Sequence, residues 1–470
     1  MKFDDLMPDR HLDMPVYRQL VRRFREAIET GKLAPGKRVP SVRSLASELN
    51  LARGTVEAAY QILIGEGYLV AHGPAGTVVS PQLPDGRQPR AAAPRPDEPP
   101  RGDPAVSGPK PFQMGIPALD AFPRMPWIRL TGRHVRAMAT PSLDYAPPQG
   151  HDGLRRALSA YLGVSRGIDC SAGQIFITAG YRGALDLICR TLLRPGDAGW
   201  FEDPGYIHAR RVLEHAGMRL VSVPVDDDGL CVEAGLRRAA DARFAVVTPT
   251  HQSPLGVALS LPRRLALLDW ARQQRAWIVE DDYDSEFRYH GRPLPALKSL
   301  DRHQRVLYTG SFSKVLYPGL RLGYLVVPEE QVAAFRDTAG WLGGSGQMLM
   351  QSVVADFMEQ GHFARHLKKM RALYATRREW LIDALGKVFG DALHVPPRAG
   401  GLHVVAYWRT AVDDRAVARM ADLQGLSVQP LNDWSPGGRM PSGMLLGFTN
   451  LTSAQQALTL VRRLYRLVRV

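Results

Sequence analysis

The chain has 470 residues, with 45% hydrophobic and 23% charged residues and a formal net charge of +14. This length predicts more than one domain, and the charge fits a nucleic-acid partner or an acidic ligand. Three scattered cysteines (Cys170, Cys189, Cys231) argue against a disulfide framework or zinc site and for a reducing, cytoplasmic compartment, while the polar, acidic N-terminus MKFDDLMPDRHLD and the lack of a long apolar run argue against a signal peptide or membrane span.

Residues 1–80 read as a small helical module. Val16, Leu20, Phe24 and Ile28 recur at helical spacing, and the 31–36 segment with its two glycines breaks that helix. Ser41, after Pro40, suits the N-cap of a second helix carrying Val42, Leu45, Ala46 and Leu49. A turn at 50–52 leads to a third helix with Val56, Ala59, Tyr60 and Leu63 inward, ended by Gly65 and Gly67. Tyr68–Val70, a Gly73–Gly76 turn and Thr77–Val79 read as a hairpin. Three helices and a hairpin describe a winged helix-turn-helix, whose third helix enters the major groove of double-stranded DNA. Arg53, Gly54 and Thr55 open that helix; Arg can pair with guanine and Thr with phosphate. Ser41 and Arg43 at the second helix, and Gly76 and Thr77 at the wing, are the next DNA-binding candidates. A protein-binding three-helix module is the alternative, because Glu57 and Glu66 help to balance the local charge. The stretch P-S-V-R-S-L-A-S-E-L-N-L-A-R-G-T-V-E-A-A-Y-Q-I-L-I-G-E-G-Y resembles, nearly position by position, the DNA-binding motif of GntR-type bacterial regulators.

Residues 81–111 are rich in proline, with Ala, Gly, Arg and Asp. Such a segment builds no core and reads as a disordered, semi-extended tether. In a polyproline-like state it spans up to roughly 90 Å.

From residue 112 to 470, strand-like runs alternate with helical ones. The strand candidates are 174–178, 199–202, 219–223, 244–248, 276–280, 305–309 and 322–327. Most are continuously apolar, as expected of strands covered on both faces. The pattern predicts an α/β domain with a mainly parallel sheet and a ligand site beyond the carboxyl ends of its strands.

Four groups fall at such ends. Lys314 follows the 305–309 run, preceded by Ser311 and Ser313, and Arg321 comes seven positions later. Pyridoxal phosphate needs an amine for a Schiff base, and cations and hydroxyls for its phosphate. Gly180, Tyr181 and Arg182 open a helix, whose free N–H groups can cradle phosphate. Asp281, in V-E-D-D-Y-D-S-E-F-R-Y, can pair a pyridine nitrogen, with Tyr283 donating to the 3-oxygen. A hard-metal site built from Glu280, Asp281, Asp282 and Asp284 is the rival reading. Lys314, one βα unit later, favours the cofactor.

Residues 112–450 resemble fold-type-I aminotransferases of the aspartate aminotransferase kind. The blocks are Y-A-P-P-Q-G-H-D-G-L-R-R-A-L-S-A-Y-L, E-D-P-G-Y, T-P-T-H-Q-S-P-L-G, V-E-D-D-Y-D-S-E-F-R-Y and S-F-S-K…P-G-L-R-L-G-Y. The order of winged helix, tether and aminotransferase domain is similar to the MocR/GabR family of transcription regulators. The resemblance implies the PLP-dependent transferase fold type I with a small C-terminal α+β subdomain. It implies that Lys314 links the cofactor as an aldimine, that Asp281 and Tyr283 hold the ring, and that Ser311, Arg321 and the Gly180–Arg182 turn hold the phosphate. It places Tyr206 near the ring and Tyr145 on the partner subunit's phosphate, in a head-to-tail homodimer.

Two blocks depart from the pattern. Aminotransferases carry Asn-Pro-x-Gly where this chain has Ser253-Pro254-Leu255-Gly256, leaving Gln252 as a replacement for the asparagine. Leu445 occupies the place of the arginine that clamps a substrate carboxylate, and Arg439 is the nearest arginine. Basic residues over 365–378 and 462–469 read as solvated helix faces. The whole chain reads as a PLP-dependent regulator binding an operator of two half-sites and sensing an amine or amino-acid effector through aldimine exchange at Lys314. The alternative is an active aminotransferase with an accessory DNA-binding module.

Overall fold

The computed structural model describes residues 7–9, 12–82, 108–291, 294–344, 346–436 and 440–468. Most of the expected tether (83–107) and Arg439 lie outside them. The chain divides into two compact units, Met1–Val106 and Ser107–Val470.

The first unit contains α1 (Val16–Glu29), α2 (Val42–Glu48) and α3 (Arg53–Gly65), then β1 (Leu69–Ala71) paired antiparallel with β2 (Thr77–Val79). Leu20, Phe24, Leu45, Val56, Tyr60 and Leu63 form its core. Tyr60 is anchored by a 2.8 Å hydrogen bond from its hydroxyl to the Pro40 carbonyl. In α1 the buried stripe is Gln19, Leu20, Val21, Phe24 and Ala27, while Val16 and Ile28 are only half-buried. The reason is geometric: a strict four-residue spacing drifts about 40° per step around a helix. Gln19 is buried because its amide donates to the Asp9 and Met14 carbonyls, each at 2.9 Å. The segment after α1 is more than a helix breaker. Gly36 N donates to Val79 O (2.9 Å), Val79 N to Lys37 O (2.9 Å) and Val39 N to Thr77 O (3.0 Å), adding a third run to the wing.

The second unit opens with α4 (Arg124–Arg136) and α5 (Asp152–Arg166). Then come β3 (Ile175–Thr178), α6 (Tyr181–Leu192), β4 (Ala198–Asp203), α7 (Ile207–His215), β5 (Arg219–Asp226), β6 (Gly229–Leu230) and α8 (Val232–Ala239). β7 (Phe244–Val247), α9 (Leu261–Gln274), β8 (Trp277–Asp282), β9 (Val306–Ser311) and β10 (Gly323–Val326) complete the sheet. The strand order is β3-β10-β9-β8-β7-β4-β5-β6. The run β9-β8-β7-β4-β5 is parallel, and β10 is antiparallel to both β3 and β9. Every strand-like run of the sequence appears, shifted by up to three residues at its ends. What periodicity does not show is the reversal of β10, which sets the turn before it beside the start of α6.

α10 (Val332–Trp341), α11 (Met348–Glu359) and the long α12 (His362–Phe389) lead to a smaller α+β layer. There β11 (Leu393–His394), β12 (His403–Trp408), β13 (Gln429–Pro430) and β14 (Gly443–Gly447) form an antiparallel sheet ordered β11-β12-β14-β13, with α13 (Asp414–Leu423) and α14 (Ala454–Val468). The basic stretch on α12 corrects the solvated-face reading at two positions. Arg377 and Arg378 are buried; Arg377 pairs with Asp120 at 2.6 Å, and Arg378 donates to the Arg398 carbonyl at 2.7 Å.

Candidate functional site

Strand alternation sorts the acids of β8. Glu280 accepts from the Leu297 and Lys298 amides at 2.8 Å, and Asp282 pairs with Arg166 at 2.7 Å and accepts from the Tyr308 hydroxyl at 2.6 Å. Both lie away from Asp281, which faces a cavity of about 250 Å³ at the carboxyl end of the sheet. The acid-rich run therefore does not converge on one point, and among the described residues no three His, Cys, Asp or Glu side chains are grouped to hold a metal.

β9 runs parallel to β8 with Thr309 opposite Asp281, and ends at Ser311. The following turn brings Lys314 into the same cavity. Its lining includes Tyr181, Arg182, Tyr206, Asp281, Tyr283, Ser311, Ser313, Lys314 and Arg321. Gly180 adjoins it, since a Cβ there would lie 3.9 Å from the Arg321 guanidinium. Tyr145 does not join them. It is 100% exposed, beside a separate depression lined by His134 and His151.

Burial shifts the protonation of the amine, the carboxyl and the phenols gathered here. Lys314 Nζ donates to the Gly115 carbonyl at 2.7 Å. Burial lowers its basicity, opposed by Asp284 and Asp281. Burial and then Asp282 push Asp281 well above the usual carboxylate range. The Tyr181 hydroxyl is buried near Asp281 without a hydrogen bond of ordinary geometry. Burial and then Asp284 likewise raise Tyr283 well above the ordinary tyrosine range. Tyr206 packs between Tyr181 and Trp434, with ring centroids 6.3 and 6.1 Å away.

Gln252 is corrected. It is buried, its Nε2 donates to Glu202, the Pro204 carbonyl and the Ser253 carbonyl, and its Oε1 accepts from Leu255 N. It braces the loop, and Ser253 lines the cavity instead. Leu445 is fully buried on β14 in an apolar cluster with Leu431 and Trp434. His208, Ser253, His403, Gln429 and Trp434 line the cavity and were not found by motif. Ser253 sits within a recognised block and His208 two residues past one, but His403, Gln429 and Trp434 come from the C-terminal layer, with no local pattern to mark them.

In the first unit, the Ser41 side chain accepts from Ser44 N at 3.1 Å, capping α2. Arg43, Arg53 and Gly54 are exposed and Thr55 is half-buried at the start of α3. Thr77 opens β2, and Gly76 before it has φ 97°. A Cβ at Gly76 would lie 2.6 Å from Arg38 Nε, so Arg38 covers the wing tip. Arg38 went unnoticed because its run resembled a loop.

Two family models match. Residues 16–79 match the gntR family of bacterial regulatory proteins, and residues 119–436 match aminotransferase class I and II. Over 457 residues the chain is 36% identical to the probable rhizopine catabolism regulatory protein MocR of Rhizobium meliloti, covering 95% of this chain and 92% of that one. The chain belongs to the MocR-type regulators. Another member, the pyridoxine biosynthesis transcriptional regulator PdxR of Corynebacterium glutamicum, is 34% identical, with 92% and 91% of the two chains covered. The fold of the MocR-type second unit is that of working enzymes. Kynurenine aminotransferase of Pyrococcus horikoshii superposes with a TM-score of 0.70 at 26% identity, over 78% of this chain and 92% of that one. No helix among the described residues is long and apolar enough to cross a membrane.

Proposed function

We propose that this chain is a DNA-binding transcriptional regulator whose aminotransferase-like unit holds pyridoxal phosphate and responds to an amine or amino-acid effector. The observation that carries this reading is the pairing of a half-buried amine, Lys314, with the buried acid Asp281 at adjacent parallel strand ends, in a chain that carries a GntR-family winged helix.

The residues present fit the cofactor. Asp281 is kept toward its neutral form by burial, so a protonated ring nitrogen would restore a charged partner. The Tyr181 hydroxyl, buried beside Asp281 without a hydrogen bond of ordinary geometry, adds a donor at the same spot. Ser311, Ser313, Arg182, Arg321 and the start of α6 offer hydroxyls, cations and free N–H groups for a phosphate. When bound, the cofactor supplies an electrophilic carbon that captures primary amines and a ring that accepts electrons. Lys314 is the amine an effector must displace, and its lowered basicity leaves more of it neutral and nucleophilic. Tyr181, Tyr206 and Trp434 give the cavity aromatic walls.

Effector binding alters DNA affinity only if the effector prefers one of two conformations of the regulator. Two winged helices in a head-to-tail homodimer, with Tyr145 reaching the partner's phosphate, would read two half-sites, with residues 81–111 setting the reachable spacing. Arg53, Gly54, Thr55, Arg43, Ser41, Gly76 and Thr77 are the DNA-facing residues in this reading.

The test is an absorbance titration of cofactor-loaded protein with a panel of amines, with and without carboxylates. A band shift that persists, and an amine effect on operator affinity that disappears in Lys314→Ala, are expected. An unchanged response in Lys314→Ala refutes the reading. The likeness to kynurenine aminotransferase supports a second reading, an active transaminase with an accessory DNA-binding module. Sustained turnover on adding a keto acid would select it.

A further inference from the structure

Beneath the pocket tyrosine lies a polar relay that the proposed function leaves unused. His251 Nδ1 is 3.0 Å from the Tyr283 hydroxyl oxygen. The same nitrogen is 3.2 Å from Asp284 Oδ2. Asp284 is 1% exposed, and neither of its oxygens makes a hydrogen bond of ordinary geometry among the described residues; the imidazole is the cation-forming group within ion-pair distance of it. The ring is clamped by backbone. A Cβ on Gly401 would lie 2.1 Å from His251 Cε1, and one on Gly256 would lie 3.0 Å from Nε2. Both glycines have left-handed φ values, 91° and 70°, that other residues resist.

Two tautomers of the ring fit these distances. An ionised carboxylate only accepts, so an ionised Asp284 beside Nδ1 favours the tautomer with the proton on Nδ1. In that tautomer the same nitrogen donates to the Tyr283 oxygen. Ser253 makes a further side-chain contact with Tyr283. A phenol oxygen that accepts from the ring leaves its own O–H free to donate toward the cavity.

We propose that His251, its tautomer set by Asp284, is a positioning residue that aims the Tyr283 hydroxyl at the ring oxygen of the bound cofactor. The inference rests on the pyridoxal phosphate reading of the cavity. Asp284, Asp281 and Glu202 are the acids that raise Tyr283 along with burial, which keeps it a donor. Lys314 faces Asp281 and Asp284 from the turn after β9. His403 approaches from β12, its Nε2 2.8 Å from the Pro254 carbonyl, and burial holds it neutral, with its pKa lowered to about 4.

The test is a pH titration, by visible absorbance, of cofactor-loaded wild type, His251→Phe, Asp284→Asn, Tyr283→Phe and the His251→Phe/Tyr283→Phe double variant. A hydroxyl donating to the cofactor's ring oxygen stabilises the form with negative charge there, so withdrawing it raises the midpoint of the Lys314-linked chromophore. Tyr283→Phe and His251→Phe are each expected to raise it by about one pH unit, with the double variant no higher than Tyr283→Phe. Asp284→Asn is expected to shift it the same way. An unmoved midpoint in cofactor-loaded His251→Phe, or additive shifts in the double variant, overturns the proposal. Should His251→Phe not fold, an unmoved midpoint in Asp284→Asn overturns it equally. A wild type without a visible chromophore, or one that persists in Lys314→Ala, removes the cofactor reading and this inference with it. That outcome is distinct from an intact chromophore with an unmoved midpoint.

Discussion

The residues assigned to DNA, Arg43, Arg53 and Thr55, project from a unit whose core is a handful of apolar side chains and one tyrosine. The residues assigned to the cofactor, Asp281, Tyr283 and Lys314, are set among other ionisable groups. Behind Asp281 lie Asp282, Arg166, Tyr308 and Glu280, and burial raises Glu280 to about 7. In the first unit the residues assigned to DNA stand outside the core, so the reading predicts that function and stability there are separable by mutation. In the second they share the same buried charges. Arg166 pairs with Asp282 and backbone amides donate to Glu280 on the other side of the strand, and the pairing limits but does not cancel the push of Asp282 on Asp281.

The largest expected effect lies in that shared charge network. Arg166 and Asp282 are both less than 5% exposed along their side chains. Burial opposes the Arg166 charge, but Asp282, Tyr308, Glu280 and Glu286 more than offset it. Arg166→Ala strands Asp282, and removing one partner of a buried pair costs about 3–5 kcal/mol. Urea unfolding of the wild type and variant would read that loss. A cost below about 1 kcal/mol, the range of an exposed ion pair, breaks the comparison.

Arg53→Ala tests the opposite side. Operator affinity is expected to fall by about 1–3 kcal/mol if Arg53 reads a base, with loss of discrimination at one position. Melting temperature and the cofactor absorbance band stay where they are, because Arg53 stands exposed at the first turn of α3. A variant that melts early would show that the arginine is structural. Loss of affinity that is uniform over operator sequences, with a smaller salt slope, would show a phosphate contact instead.

The same contrast explains what was legible in the chain. Local patterns sufficed where a motif is contiguous. The winged helix was readable from one stretch, and Lys314, Asp281 and Arg321 from strand ends and short blocks. The strands of the sheet were visible because burial on both faces leaves them uniformly apolar. Two kinds of feature were hidden. One is pairing: the reversal of β10 and the run at 36–39 beside the wing depend on partners distant in sequence. The other is the division of labour among like residues. Glu280, Asp281, Asp282 and Asp284 look alike in sequence, yet alternation on β8 gives one of them the cavity and gives others the Arg166 and backbone contacts. Gln252, expected to stand in for the asparagine, is spent on loop contacts, and its neighbour Ser253 reaches the cavity instead.

The smallest expected effect asks whether one residue of the first unit escapes the separation. Ser41 is exposed, yet its hydroxyl caps α2 through Ser44 N at 3.1 Å. It also begins the segment that a helix-turn-helix lays against the DNA backbone. Ser41→Ala is expected to cost about 1 kcal/mol of stability through the lost cap, measurable as a lower melting temperature. Ser41→Asp keeps an acceptor at the N-cap and places a negative charge where the helix dipole favours it. Its melting temperature should match the wild type, while the added charge repels phosphate and weakens operator binding at low salt more than at high salt. Should Ser41→Asp bind DNA as well as wild type, Ser41 is a cap alone, and function and stability in the winged helix are fully separable. Should it lose both stability and affinity, the two are coupled there as well, and the contrast with the buried pocket is one of degree.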